Sequence, residues 1–495
     1  MPLSNFSAHA LRASFVLSFL AGGAVAQPCV DGGVADASYA ITVNDRIAVG
    51  SIVGDGLNQA AVGDVNNDGF DDVIVGFSEA AFGSVGAINR RGVVRVFSGA
   101  DGSMLREFAG ATWTTPAQLD GFGWRVASFD VNNDGFDDVI IGSRRFNNGA
   151  GRLSVFSGAT GALLYNITGF GGQFGNQIIN LGDVNNDGRN DLFVSLPAYN
   201  PSGAPVPPGA VAIYSGANGS LLDSSVGGGL NPRLGRVIGD LGDVDGDDVV
   251  DVFIATNGSI IVLSSGNLAE GSWVRVVDQI GGASIAAARV GDLNTDGADD
   301  LAVIVGGQYQ VLSGSSGQVL VEPIHLYGSG RDANAQSYSD INNDGVNDLV
   351  VAVRGFAASD EEVLYVDAVS GAILASRKSP VLFDGEDNEN VLGFATSIAV
   401  GDVNMDGGLD VVVGRLTSQF EEAPFSETIT ALVYQGVPCP GDINADGTVN
   451  FTDLNSVLAS FGQSGAGVIG DGDCNGTVNF ADLNTVLAAF GTSCN

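Results

Sequence analysis

One nine-residue string, D-x-[ND]-x-D-x-x-x-D, recurs seven times along this chain of 495 residues. The copies are DVNNDGFDD from Asp64, DVNNDGFDD from Asp130, DVNNDGRND from Asp183, DVDGDDVVD from Asp243, DLNTDGADD from Asp292, DINNDGVND from Asp340 and DVNMDGGLD from Asp402. They begin 66, 53, 60, 49, 48 and 62 residues apart. A unit repeated at such spacing buries its apolar face against copies of itself, so the period constrains the fold more than any single segment does.

Each copy follows a short apolar segment, such as WRVASFD or NQIINLGD, and precedes another, such as VIVG or LFVSL. A third segment then turns on Ser-Gly-x-x-Gly into a fourth: VVRVFSGADGSML, RLSVFSGATGALL, VAIYSGANGSLL and YQVLSGSSGQVL. Gly between β-branched runs at that spacing predicts a tight hairpin. Each unit therefore reads as strand A, acidic loop, strand B, a longer connection, strand C, Gly hairpin and strand D. Four antiparallel strands repeated seven times predict an all-β fold, a seven-bladed β-propeller. A solenoid is the competing architecture, and the long four-strand period fits blades better. The last unit lacks a fourth strand after Ile429–Gly436, whereas Tyr39–Val49 is a lone strand before the first unit. The expectation is that this strand completes the seventh blade.

The loop positions specify chemistry. Positions 1, 3, 5 and 9 hold Asp64, Asn66, Asp68 and Asp72; Asp130, Asn132, Asp134 and Asp138; Asp183, Asn185, Asp187 and Asp191; and Asp243, Asp245, Asp247 and Asp251. The last three loops supply Asp292, Asn294, Asp296 and Asp300; Asp340, Asn342, Asp344 and Asp348; and Asp402, Asn404, Asp406 and Asp410. Phe70, Phe136, Arg189, Val249, Ala298, Val346 and Gly408 stand at position 7, where a backbone carbonyl is available. Gly at position 6 turns the chain in every copy but the fourth, which has Asp248. An all-oxygen shell with flexible spacing suits Ca²⁺ better than octahedral Mg²⁺. A single copy could be a surface turn rich in Asp, Asn and Gly; seven with one ligand order point to cations.

The charge agrees. Acidic residues number 57 against 20 basic, for a net charge of -37, and Lys378 is the only lysine. Hydrophobic residues at 45% supply a core, so this is not a disordered acidic chain. A chain this acidic is repelled by phosphate backbones and anionic lipid, so nucleic acid and membrane surfaces are poor partners. No run after the N-terminal segment is long and apolar enough to span a bilayer.

Residues 1–26 read as a secretory signal, with Arg12, the apolar run Ala13 to Val25 and an A-x-A site at Ala24–Ala26. A secreted, extracellular or cell-surface location follows as an expectation. Cys29, Cys439, Cys474 and Cys494 then allow two disulfides in three connectivities. If the strand at Tyr39 closes the last blade, Cys29 comes near Cys439; Cys474–Cys494 and Cys439–Cys494 are alternatives within the tail. His325 is the only histidine beyond the signal, and the Cys spacings match no zinc pattern.

The acidic loops, preceded by Phe122-Gly123, Phe174-Gly175, Leu234-Gly235 or Leu392-Gly393, resemble FG-GAP repeats. The resemblance covers roughly residues 39–437. It implies the seven-bladed propeller of integrin α-chains and many bacterial surface proteins, and with it calcium-supported adhesion or ligand binding. This chain departs in lacking Phe-Gly in several units and in carrying a loop in all seven. The domain boundaries read as 27–437 for the propeller and 438–495 for a second domain.

That second domain holds two twelve-residue loops, DINADGTVNFTD and DGDCNGTVNFAD. Asp442, Asn444, Asp446, Asn450 and Asp453 in the first, and Asp471, Asp473, Asn475, Asn479 and Asp482 in the second, fall at positions 1, 3, 5, 9 and 12, with the carbonyls of Thr448 and Thr477 at 7. Each loop leads into a predicted helix. Leu454, Val457, Leu458 and Phe461, with Leu483, Val486, Leu487 and Phe490, form stripes read as the core between two antiparallel helices. The duplicated loop and helix resemble a Cys-bearing dockerin, a small α-helical calcium-binding domain. That resemblance implies a cohesin-like or cell-surface partner, through an anchoring or assembly tail.

Strand alternation puts the acidic loops and Gly hairpins at one end of the disc. The other end is built by the B–C connections Phe77–Gly92, Ser143–Gly151, Ser195–Gly209, Arg354–Glu362 and Arg415–Thr428, and by the D–A segments. Arg90, Arg91, Arg144, Arg145 and Phe146, with Trp113, make that end a candidate surface for an acidic glycan or a protein ligand. Ordinary solvated or loop-packing residues are the alternative reading of the same positions. No G-x-S-x-G elbow, P-loop or Cys–His pair is present, so the reading is a binder rather than an enzyme. A calcium-assisted polysaccharide lyase using Arg, Tyr or His325, and a structural surface component, are the alternatives. Of the 57 acidic residues, 28 are assigned to loops. Elemental analysis of the saturated protein is expected to find about nine Ca²⁺ per chain, one per loop; two or fewer would sink this assignment.

Overall fold

The computed structural model describes residues 39–43, 59–78, 81–82, 89–90, 92–111, 120–228, 233–244, 250–256, 259–263, 273–278, 285–328, 331–338, 340–341, 344, 346–354, 361–378, 389–392, 398–403, 409–419, 426–434, 449–463, 470, 477–488 and 490–491. The signal segment, all four cysteines, Arg91, Trp113 and Asp248 lie outside them. So do Asp245, Asp247, Val249, Asn342, Asn404, Asp406 and Gly408 of the fourth, sixth and seventh loops, and Asp442, Asn444, Asp446, Thr448, Asp471, Asp473 and Asn475 of the tail.

The fold is all-β over most of the chain and built of antiparallel four-stranded sheets, consistent with propeller blades. After β1 (Tyr39–Val43), the first sheet takes β2 (Gln59–Gly63) and β3 (Asp72–Phe77), then a ribbon of β4 (Ala81–Phe82) with β5 (Asn89–Arg90), then β6 (Val93–Phe97) and β7 (Met104–Ala109). The second is β8 (Phe122–Phe129), β9 (Asp138–Ser143), the four-residue helix α1 (Phe146–Gly149), β10 (Arg152–Phe156) and β11 (Leu163–Thr168). The third is β12 (Ile178–Gly182), β13 (Asp191–Leu196), β14 (Ala210–Tyr214) and β15 (Leu221–Val226); the fourth is β16 (Val237–Gly242), β17 (Asp251–Ala255), β18 (Ser259–Leu263) and β19 (Trp273–Asp278). The fifth is β20 (Ile285–Val290), β21 (Asp300–Val305), β22 (Gln308–Leu312) and β23 (Val319–His325); the sixth is β24 (Asp332–Ser337), β25 (Leu349–Arg354), β26 (Glu362–Val366) and β27 (Ile373–Lys378).

The last sheet combines β28 (Glu389–Leu392), β29 (Ile398–Gly401), β30 (Asp410–Gln419) and β31 (Ser426–Tyr434) with β1. β1 lies antiparallel to β31, with Tyr39 opposite Val433 and Val43 opposite Ile429. Residues 44–49, expected to continue that strand, are outside the described residues. The Arg415–Thr428 segment, expected as a connection, is largely strand: β30 and β31 stay paired from Val411–Tyr434 out to Gln419–Ser426. Its alternation of Leu, Thr and Gln suits a two-stranded extension, and β28 pairs with its far half.

The strands' burial follows their place. β9, β13, β14 and β17 are buried at every residue, because each lies inside its sheet with neighbouring sheets packed on both faces. That is why they read as unbroken apolar runs. β15 is an outer edge and leaves all but two of its six residues exposed. Apolar clusters sit between sheets rather than under one. Ile74, Val94 and Val96 of the first meet Val139 and Ile141 of the second, and Phe193, Val211 and Ile213 of the third meet Val252 and Ile254 of the fourth. Tyr338, Val350 and Tyr365 of the sixth meet Val411 and Val413 of the last.

In the tail, α2 (Phe451–Ser460) and α3 (Phe480–Ala488) pack on one another. Their core is Val449, Val457, Val478 and Val486, each fully buried, with Leu454 and Leu483 packed on it. The expected core stripe is corrected here: Leu458 and Leu487 are 51% and 52% exposed, and Phe461 and Phe490 are 40% and 38% exposed. A helix of about ten residues has only about three turns, and the two buried valines fill the short contact.

Where a hairpin opens on glycine, that residue lies hard against backbone. A Cβ at Gly216 would stand 1.9 Å from the carbonyl oxygen of Asn190, and one at Gly158 would stand 2.1 Å from that of Asp137. Gly216→Ala is expected to lower stability by about 1–3 kcal/mol through overpacking against backbone. Gly228→Ala, with nothing within 4 Å, should stay within about 0.5 kcal/mol of the parent in a denaturant melt.

Candidate functional site

The acidic loops share one hydrogen-bonding plan. At position 1, the Asp64 carboxylate accepts from the backbone N–H groups of Asp68 (3.0 Å) and Gly69 (2.9 Å). Asp130 does the same with Asp134 and Gly135, Asp183 with Asp187 and Gly188, and Asp292 with Asp296 and Gly297. Asp340 accepts from Asp344. At position 5, Asp68, Asp134, Asp296 and Asp344 each accept the amide two residues on. These bonds are bent into place by two left-handed residues. Asn67, Asn133, Asn186 and Thr295 at position 4 have φ of 57°, 56°, 60° and 59°, and Gly69, Gly135, Gly188 and Gly297 at position 6 have φ of 83–92°. The position-4 requirement was legible as a run of Asn, which tolerates that region better than most residues.

Position 9 plays a different part. Asp72, Asp138, Asp191, Asp251, Asp300, Asp348 and Asp410 are all fully buried. One oxygen of each accepts the backbone N–H of position 2, as Asp138 does from Val131 (3.2 Å) and Asp410 from Val403 (2.9 Å). In five of the sheets the other oxygen accepts the amide opening the hairpin of the same sheet: Gly99 on Asp72 (3.1 Å), Gly158 on Asp138 (2.9 Å), Gly216 on Asp191 (2.9 Å), Gly314 on Asp300 (3.1 Å) and Ala368 on Asp348 (3.0 Å). The loop and hairpin thus share one end. Burial pushes the Asp72 carboxyl up to about 7, and Asp138 and Asp348 up to about 6, against the pull of those amides.

Position 8, which carries no ligand role in the loop pattern, joins neighbouring sheets. Asn190 Nδ2 donates to the Asp130 carbonyl (2.7 Å), and Asp137 N–H donates to the Asp64 carbonyl (3.0 Å). Between the first and last sheets, Asp71 N–H donates to the Asp402 carbonyl (3.1 Å), and Asp402 N–H donates to the Asp71 carboxylate (2.9 Å). The signal was its polarity in five of seven copies; the hydrophobic Val250 and Leu409 break it.

The donor set fits a hard cation. The fully described loops offer oxygen only, and Asn66 Oδ1 at position 3 is a buried acceptor without a hydrogen-bond donor. Asn132 and Asn185 each donate Nδ2 to the position-9 carboxylate at 3.3 Å, which leaves Oδ1 as their acceptor end. Among the described residues no three His, Cys, Asp or Glu side chains meet as a group that could hold a metal; position 3, the third side-chain donor of these loops, is Asn. In the tail, Asn450 and Asp453 form a capping box on α2: Asn450 Oδ1 accepts from Thr452, and Asp453 accepts from the Asn450 N–H (both 2.8 Å). Asn479 and Asp482 repeat it on α3.

At the opposite end, the structure brings Arg144, Arg145 and Phe146 into one corner. The Arg145 N–H donates to the Asp120 carbonyl (2.9 Å), joining a B–C connection to a D–A segment. Arg144 stacks on Trp124, 3.1 Å from the ring centroid, and Arg152 stacks on Phe146 at 4.2 Å. Trp124, Arg125 and Arg152 were missed because they read as ordinary strand residues. Arg90 is placed in β5, and His325 ends β23 beside Gln308 (3.4 Å).

Residues 57–96 and 122–156 match the family model described as FG-GAP repeat. Integrin alpha-5 of Xenopus laevis is 30% identical over 176 residues, covering 32% of this chain and 15% of that protein. Integrin alpha-V of Gallus gallus is 31% identical over 168 residues, again 32% and 15%. The chain thus spans 15% of the length of these relatives. A rhamnogalacturonan lyase of Bacillus licheniformis covers 83% of this chain and 74% of its own at 12% identity with a TM-score of 0.42, too loose to bear on function. The chain carries FG-GAP repeats similar to those of integrin α-chains. Among the described residues no helix is long and apolar enough to cross a membrane.

Removing the position-9 carboxylate leaves two buried amides unpaired, at about 1–3 kcal/mol each. Asp138→Ala is therefore expected to lower the unfolding free energy by several times the effect of Asp101→Ala, whose exposed carboxylate accepts from the Ser103 amide and from serine hydroxyls that water can replace, as read in paired denaturant melts.

Proposed function

We propose that this protein is a secreted, seven-bladed β-propeller whose loops hold Ca²⁺ and whose opposite face binds an extracellular glycan or protein ligand. The observation that carries the reading is the division of labour between the two ends. Loop carboxylates are committed to backbone amides and to neighbouring sheets, while the other end presents arginines and aromatic rings in a chain with few cations. The FG-GAP match supports ligand binding. The seven-bladed closure is supported by contact between first strands in the order β2, β8, β12, β16, β20, β24, β29 and back to β2.

Asp64, Asn66, Asp68 and Asp72, with the Phe70 carbonyl, would hold the first cation, and the other loops would follow the same plan. Bound Ca²⁺ supplies positive charge to carboxylates that otherwise repel one another. The protein's own part is to hold positions 1 and 5 in place through fixed amide bonds, so little ordering is left for binding to achieve. The tail, on this reading, is a dockerin-like module for anchoring or assembly, through a cohesin-like or cell-surface partner. Its capping boxes fit, because they fix positions 9 and 12 of each loop at a helix start.

Excess chelator is expected to lower the melting midpoint by at least ~10 °C, with Ca²⁺ restoring it and Mg²⁺ failing to do so, since each saturated site adds about 2.7 kcal/mol at a hundredfold excess over Kd. Calcium-loaded protein should bind one member of a panel of acidic polysaccharides and matrix proteins saturably. Arg90/Arg91/Arg144/Arg145→Ala should weaken that binding at least tenfold with the melt unchanged. No binding across the panel would count against the ligand-binding reading.

A further inference from the structure

Position 5 of the acidic loops is held in two different ways. In the first, second, fifth and sixth loops its carboxylate accepts the amide two residues on: Asp68 from Phe70 (3.0 Å), Asp134 from Phe136 (3.1 Å), Asp296 from Ala298 (3.0 Å) and Asp344 from Val346 (3.0 Å). The third loop departs from this plan. Among the described residues the Asp187 carboxylate accepts a single bond, and it comes from outside the loop, from the hydroxyl of Ser215 (3.2 Å).

Ser215 opens the hairpin of the third sheet, one residue before the Gly216 amide that bonds to Asp191. It is 2% exposed, and its oxygen also accepts the Ala217 N–H (3.2 Å). The hydroxyl is thus fixed by the hairpin and donates to the loop, in a place where little water competes for the bond. Serine stands at the same place in three other sheets, as Ser98, Ser157 and Ser313, each of them buried. Those side chains are employed differently. Ser98 bonds to the Asp101 side chain, and Ser157 accepts the Thr160 N–H (3.3 Å). Ser313 lies 3.5 Å from the Asp296 carboxylate, which Ala298 and the Ser315 hydroxyl (2.6 Å) already hold. A carboxylate that presents one oxygen to a cation has less freedom left to lose when a fixed partner holds it beforehand.

We propose that Ser215 is a positioning residue for the cation of the third loop: from the neighbouring hairpin, its hydroxyl supplies the hold on the position-5 carboxylate that other loops draw from their own backbone. It acts through Asp187. The inference deepens the calcium reading and rests on it.

The test is equilibrium dialysis of the full chain against buffered free Ca²⁺, with melts in chelator and at a fixed Ca²⁺ concentration. At the free Ca²⁺ that just fills the parent, Ser215→Ala is expected to lack about one bound ion per chain. It should recover that ion only at roughly tenfold or higher free Ca²⁺, the usual cost of losing an outer partner of a metal ligand. Its melting midpoint should fall further below the parent's in Ca²⁺ than in chelator. Ser157→Ala is the control, because it removes the equivalent buried hydroxyl and its bond to a hairpin amide without a bond to Asp134. That variant should bind as the parent does and shift the two melts alike. Should Ser215→Ala fold poorly, Ser215→Cys keeps a side chain there with a weaker donor, and should lose the same ion over a smaller rise in Ca²⁺. Unchanged Ca²⁺ binding in the Ser215 variants, or an equal loss in Ser157→Ala, would overturn this inference and leave the calcium reading standing. A parent that takes up no Ca²⁺ would overturn that reading, and this inference with it.

Discussion

The buried carboxylate at the end of each acidic loop is the bond on which the remaining geometry depends. Asp138 accepts Val131 on one oxygen and Gly158 on the other, and so fixes the A–B loop to the C–D hairpin across the width of its sheet. A carboxylate is suited to this, since it only accepts and can face two donors at once. In four sheets the hairpin glycine passes so close to the position-8 carbonyl that a Cβ would clash with it, whereas the sixth sheet takes Ala368 at that place. Position 8 in turn reaches the preceding sheet, as Asn190 reaches Asp130. Loop, hairpin and neighbouring sheet are one connected unit.

Much of this was legible because the repeat states it several times over. Seven copies of one ligand order mark the loops, and Ser-Gly-x-x-Gly marks the hairpins, since both demand particular backbone conformations. Other features are quiet in sequence for physical reasons. Position 9 looks the same whether it faces a cation or two amides, because either needs a carboxylate. The exposure of Leu458 and Leu487 is not legible, because helical spacing shows which face a residue occupies and not how far a short partner helix extends over it. Trp124 and Arg125 fall in a strand that bulges between Phe122 and Arg125, and alternation cannot be followed through a bulge.

The two ends of the molecule answer different demands. At the loop end, acidic groups are concentrated and anchored to backbone amides, so variation there risks stability. At the other end, connections differ from sheet to sheet: a short ribbon in the first, a left-handed turn through Asn147 and Asn148 in the second, a long paired extension in the last. That arrangement separates a repeated framework end from a varied one in physical terms, since the loop and hairpin bonds all lie at the repeated end.

The pairing of β1 with β31 has a kinetic consequence. Tyr39 and Val433 lie nearly the whole length of the sheet region apart in sequence, yet they are direct neighbours. A contact of that span forms late, after the intervening loop entropy has been reduced by the other sheets. Until then, β31 presents an unpaired edge and β1 has no partner, which is when such a chain is most exposed to intermolecular pairing. Closing that pair exchanges the nine-residue edge of β31 for the five-residue edge of β1, and a short edge offers less for another copy to pair with.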